Sequence, residues 1–143
     1  MEPSRLARFR TLSALCLLCL AGTAVAGAHR QSGDSLSALG DAPAAAAVAR
    51  NPYMAQPNAI KAGQKLFHRH CKECHGPAAE GDELGPSLRT ALVERSSSGE
   101  LFWLLTNGNL RRGMPSWSRL PDERRWQLVT YIKSLTDTLD ETQ

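Results

Sequence analysis

Cys71-Lys72-Glu73-Cys74-His75 is the stretch on which the reading of this chain turns. Two cysteines separated by two residues bring both thiols to one curl of backbone, and the next residue offers an imidazole beside them. Several chemistries use paired cysteines. A zinc site needs four ligands, and beyond this stretch the exported part of the chain adds only His29, His68 and His70. His68 and His70 lie too close to Cys71 on the same helix end to close a tetrahedron easily. A thioredoxin-like redox pair belongs at a helix start within an α/β pattern, whereas this pair follows a helical stretch in a chain without strand signals. The remaining chemistry is covalent attachment of haem. Two thiols add to the two vinyl groups along one porphyrin edge, and the following histidine lies under the iron as an axial ligand.

Working back from the motif, Ile60, Gly63, Gln64, Phe67 and Cys71 recur at helical spacing, and Asn58 reads as the N-cap of that helix. Residues 51–58 read as an extended lead-in, because Pro52 and Pro57 bias their predecessors away from helix. Residues 27–50 are rich in Ala, Ser, Gly and Asp, a composition that buries little and reads as a flexible leader. Residues 1–26 have the form of an export signal: Arg5, Arg8 and Arg10, an apolar run from Leu12 to about Val25, then Ala24-Val25-Ala26 with cleavage after Ala26. Cys16 and Cys19 leave with it. So do Arg5, Arg8, Arg10 and Glu2, which lowers the formal charge from +3 to +1. Nucleic-acid binding would require a strongly basic face, and a near-neutral chain does not supply one.

Beyond the motif, Gly76-Pro77, Gly81-Asp82 and Gly85-Pro86 mark a loop. Ser97-Ser98-Gly99-Glu100 is a capping box, predicting a helix through Leu101-Phe102-Trp103-Leu104-Leu105 that stops at Gly108. A loop with Gly113-Met114-Pro115 follows. The last helix opens at Pro121, with Asp122 and Glu123 at its positive end, and carries Trp126, Leu128, Val129, Tyr131, Ile132 and Leu135. No stretch alternates with period two. The expected fold is all-α, three to four helices in one domain over residues 51–143, around one covalently bound haem.

The order of these features, a helix with Gly63 and Phe67, then Cys71-x-x-Cys74-His75, Gly85-Pro86-x-Leu88, Gly113-Met114-Pro115 and a helix with Leu128 and Tyr131, resembles the class I c-type cytochromes. The resemblance spans residues 58–136. It implies a soluble monohaem electron carrier rather than an enzyme, with haem c and iron as cofactors. It also implies that Met114 is the second axial ligand opposite His75, and that the Pro86 carbonyl accepts a hydrogen bond from His75 Nδ1. Leu88 is expected against the porphyrin face. Gly63 and Phe67 should meet Leu128 and Tyr131 across a helix pair.

Only Met54 and Met114 remain after the signal is removed, and Met54 lies in the lead-in. The alternatives to Met114 ligation are a five-coordinate iron with Met114 as packing, or a second histidine. The partners this implies are redox proteins: a dehydrogenase or quinol-oxidising complex as donor and an oxidase as acceptor. No small-molecule substrate is expected, the chain reads as a monomer, and it contacts a membrane only if the signal stays uncleaved. The expected location is the periplasm, across the inner membrane. A fixed haem subunit of a larger dehydrogenase or respiratory complex is the nearest alternative, and a ligand-binding sensor or peroxidase a more distant one.

Overall fold

A computed structural model describes residues 36–136. The export signal expected at 1–26 and the first part of the leader lie outside the described residues. Among the described residues, six α-helices occur in the order α1 (Ala44–Ala47), α2 (Pro57–His70), α3 (Lys72–His75), α4 (Ala91–Arg95), α5 (Ser98–Asn107) and α6 (Asp122–Ser134). Short 3-10 turns occupy Ser37–Asp41 and Leu110–Arg112, and the described residues contain no strand. The all-α expectation holds, with three long helices and three short ones.

The frame is the crossing of α2 and α6. Gly63 sits at the contact: a Cβ there would stand 2.1 Å from the Gln127 carbonyl oxygen and 2.7 Å from the Tyr131 Cβ. Only a residue without a side chain lets two helix backbones approach so closely. One turn on, Phe67 is fully buried and its ring lies 5.4 Å from that of Tyr131, the pairing anticipated from spacing. α6 is covered on two sides, by α2 and by α5, which explains why Leu128, Val129, Thr130 and Ile132 are all buried.

Arg125 is the buried charge of α6. It donates to Thr106 Oγ1, pairs with Asp122 and lies 4.6 Å over the Phe102 ring, which stacks on Trp126 at 4.0 Å. Its two terminal nitrogens and its face are engaged in this way, which offsets the cost of burying the cation, while its buried Nε has no hydrogen-bond partner.

Local signals set the helix ends. The Ser97 hydroxyl accepts from Glu100 N at 3.1 Å while the Glu100 carboxylate accepts from Ser97 N at 2.6 Å, so the predicted capping box is formed. Gly108, at φ 71°, ends α5 as expected. The start of α2 differs from expectation. Its N-cap is Gln56 and its first residue is Pro57, not Asn58, because proline at the first helical position loses no hydrogen bond and has its φ preset.

The lead-in differs too. Residues 52–55 form turns rather than the expected extended lead-in. They are held by Asn51, whose Nδ2 donates to the Trp126 carbonyl and to Thr130 Oγ1 and whose Oδ1 accepts from Tyr53 N. The stretch expected to bury little also behaves otherwise from Leu36 onward. Leu36 and Leu39 are 5% and 3% exposed and join the main core. Two leucines among small residues carry no periodic signal, so their burial depends on partners far along the chain.

Candidate haem site

α2 ends where the motif begins. Cys71 caps it, with its N–H donating to the Phe67 carbonyl at 2.8 Å. One further turn, α3, places Cys74 and His75, whose N–H groups both donate to the Cys71 carbonyl at 3.1 and 3.0 Å. The two cysteines therefore lie on one tight curl. Neither is in a disulfide; Cys71 is buried and Cys74 exposed. Burial, and then the neighbouring Cys74 sulfur, push the Cys71 thiol up to about 12. As the free thiol it therefore stays protonated at neutral pH.

His75 Nδ1 donates to the Pro86 carbonyl at 2.8 Å. A carbonyl can only accept, so Nδ1 carries the proton and Nε2 keeps its lone pair. The bond depends on how closely the loop before Pro86 approaches. A Cβ on Gly85 would lie 2.5 Å from the Cys74 carbonyl oxygen and 3.2 Å from His75 Nδ1, so only glycine fits there. The loop has its own bracing. Gly81 N donates to the His75 carbonyl at 2.8 Å and Leu88 N to the Ala79 carbonyl at 2.9 Å, while Asp82 Oδ1 accepts from Leu84 N at 2.7 Å. Asp82 thus holds the turn that delivers Pro86.

Met114, which lines the same cavity, is half-buried. Its loop is pinned at three points. Asn109 and Met114 exchange backbone hydrogen bonds at 2.9 and 3.1 Å, Trp117 N donates to the Leu105 carbonyl at 2.9 Å, and Ser116 Oγ donates to the Thr106 carbonyl at 2.6 Å. The last two acceptors belong to the final turn of α5, whose carbonyls lack helical partners. Gly113, at φ 86°, makes the left-handed turn just before the methionine.

All six residues singled out in the sequence, Cys71, Cys74, His75, Pro86, Leu88 and Met114, line one cavity of about 240 Å³. Met54 does not line it; that methionine is 44% exposed and lines a separate pocket. Sequence reasoning missed several lining residues. Leu36 comes from the supposed leader, Leu101, Leu104 and Leu105 from α5, and His70 stands at the cavity edge with its ring 5.0 Å from Trp117. Desolvation, then Arg69 and Arg124, hold His70 below its ordinary pKa. For the α5 leucines the signal was present, since they sit on the apolar side of a helix with a clear capping box.

The residues fit a haem. The cavity wall is largely aliphatic, two unpaired thiols stand on one curl at its rim, an imidazole is oriented through Nδ1 alone, and a thioether lies in the same cavity.

Known proteins agree. The family model described as cytochrome c oxidase, cbb3-type, subunit III matches residues 58–132. Among solved structures, cytochrome cL from the marine methylotrophic bacterium Methylophaga aminisulfidivorans MPT aligns with a TM-score of 0.53 and 30% identity, covering 66% of this chain and 69% of that one. No curated protein matches the chain. From its motif, its fold and these two likenesses, the chain belongs to the c-type cytochromes, electron-transfer proteins that bind haem c covalently, in the family of the cbb3-type subunit III domain.

Proposed function

We propose that this protein is a periplasmic monohaem cytochrome that carries single electrons between redox protein partners. In this reading the haem is thioether-linked to Cys71 and Cys74, and its iron is ligated by His75 and Met114. The observation that carries the reading is the 2.8 Å bond from His75 Nδ1 to the Pro86 carbonyl, in a cavity that Met114 also lines. That bond fixes the ring and leaves Nε2 as the donor nitrogen, and it strengthens the ligand through its N–H. Bound haem c supplies a one-electron iron couple and a conjugated edge for outer-sphere transfer, with a potential raised by a thioether ligand.

The chain does the rest. Cys71 and Cys74 tether the group, Leu88 and the α5 leucines exclude water, and the pinned loop keeps Met114 from moving between oxidation states. A ligand set that does not move needs little reorganisation during electron transfer.

Residues 1–26 act as a cleaved export signal in this reading, ahead of the cytochrome domain. The donor is a dehydrogenase or quinol-oxidising complex and the acceptor an oxidase. Docking occurs over a small transient interface. A second reading, a fixed subunit of a respiratory complex, is favoured by the name of the matching family model, which is that of an oxidase subunit. Fractionation separates the two: a shuttle leaves cells with the soluble periplasm, whereas a subunit stays with membranes.

Absorption spectra of the protein matured with covalent haem test the ligation. The expected result is a thioether-type haemochrome and a weak far-red band that Met114→Ala abolishes. Rapid carbon monoxide uptake by the reduced wild-type protein would overturn the carrier reading in favour of a sensor or peroxidase.

A further inference from the structure

We propose that residues 36–50 form a strap that completes the haem site, with Leu36 as part of its apolar wall and a seat on α5 that keeps water and exogenous ligands from the iron. The proposal rests on the reading above that haem occupies this cavity.

Three observations converge on it. First, Leu36 is 5% exposed and lines the cavity together with Leu101, Leu104 and Leu105 of α5. Second, the strap is seated closely. The carbonyl oxygen of Ala46 in α1 occupies the space beside Gly99, where a Cβ would lie 1.8 Å away, and both α1 and the Ser37–Asp41 turn contact α5. The strap is closed on itself by Leu39 N donating to the Leu36 carbonyl at 3.0 Å and Ala46 N to the Pro43 carbonyl at 2.8 Å. Third, the family match begins only at residue 58. The strap therefore lies outside the stretch that the family model describes.

The physical consequence follows from dielectric. Ferric haem carries one more positive charge than ferrous, so apolar side chains that exclude water disfavour the ferric state and raise the potential. The same packing opposes replacement of the thioether by a small external ligand, which needs room beside the iron.

Three variants of the full-length holoprotein test the proposal. Leu36→Ala trims the wall, Gly99→Ala lifts the seat without altering a cavity-lining side chain, and Val48→Ala changes an exposed side chain of the same strap (Val48 is 76% exposed). The readouts are imidazole binding to the ferric protein and the midpoint potential. Leu36→Ala and Gly99→Ala are expected to bind imidazole at least fivefold more tightly and to show a lower potential, with Val48→Ala matching the wild type. If Leu36→Ala, with native circular dichroism, binds imidazole within twofold of the wild type at an unchanged potential, the strap is not part of the site and the proposal fails. Failure of the underlying reading shows separately, as a wild-type protein without thioether haem or without the Met114-dependent band.

Discussion

Replacing Gly63 by alanine adds one methyl group at the point where α2 and α6 touch. Ordinary contact begins near 3.4 Å, and the new Cβ would stand 2.1 Å from the Gln127 carbonyl oxygen, a shortfall of 1.3 Å against backbone that cannot rotate away. The helices must separate or shear. An added gap of about 0.5–1 Å forfeits roughly a quarter to a half of each dispersion contact across the seam, including the Phe67–Tyr131 ring pair at 5.4 Å. Overpacking of this kind costs about 1–3 kcal/mol, and a backbone clash belongs at the upper end. Alanine returns about 1 kcal/mol of helix propensity relative to glycine. The net expectation is a loss of about 2 kcal/mol, or a fall in Tm of about 8–16 °C for a domain of this size.

Urea unfolding of the holoprotein, followed by far-ultraviolet circular dichroism and tryptophan fluorescence, measures it. Gly63→Ser should cost more than Gly63→Ala. An alanine variant within about 0.5 kcal/mol of the wild type, with the same m value, would refute the close-approach argument and leave Gly63 an ordinary helical glycine.

Three other perturbations are equally specific. Gly85→Ala drives a methyl toward the Cys74 carbonyl oxygen, 2.5 Å away, and pushes the Pro86 carbonyl off His75; the yield of haem-attached protein should fall several-fold, whereas an unchanged yield and Tm would show that the loop yields freely. Ser97→Ala removes the hydroxyl that accepts from Glu100 N and should cost about 1 kcal/mol, read as a shift in urea midpoint with the far-red band intact. Burial holds the Tyr131 hydroxyl above its ordinary pKa, against the opposing pull of Arg89 and a hydrogen bond with Gln64. The folded state thus favours its proton. Its contribution is complete below the unfolded pKa near 10 and is lost as pH rises through the folded value. As pH rises above about 10, the Tm of the wild type should fall more steeply than that of Tyr131→Phe, and parallel curves would contradict the assignment.

What could be read from sequence followed the range of the forces involved. The Cys71-x-x-Cys74-His75 motif, the capping box at Ser97 and Glu100, and the glycine stop at Gly108 are each contained within a few residues, so order in the chain is enough to see them. The resemblance extended that reach to Pro86 and Met114, whose places depend on loops with distinctive glycines and prolines. Periodicity identified the Phe67 and Tyr131 faces because amphipathic helices record which side is buried.

Tertiary structure alone decided the rest. Asn51 bonds Trp126 and Thr130, so a stretch that reads as extended becomes a turn anchored to α6. Arg125 stands in a run of charged residues, Asp122-Glu123-Arg124-Arg125, yet it is buried over the Phe102 ring because α5 covers that side of α6. Leu36 and Leu39, two leucines in small-residue sequence, reach the haem cavity or the core beside it. In each case the deciding partner lies far along the chain, and burial is a property of the partner as much as of the residue. Sequence determined which chemistry the motif offers; packing determined which distant residues wall the cavity beside it.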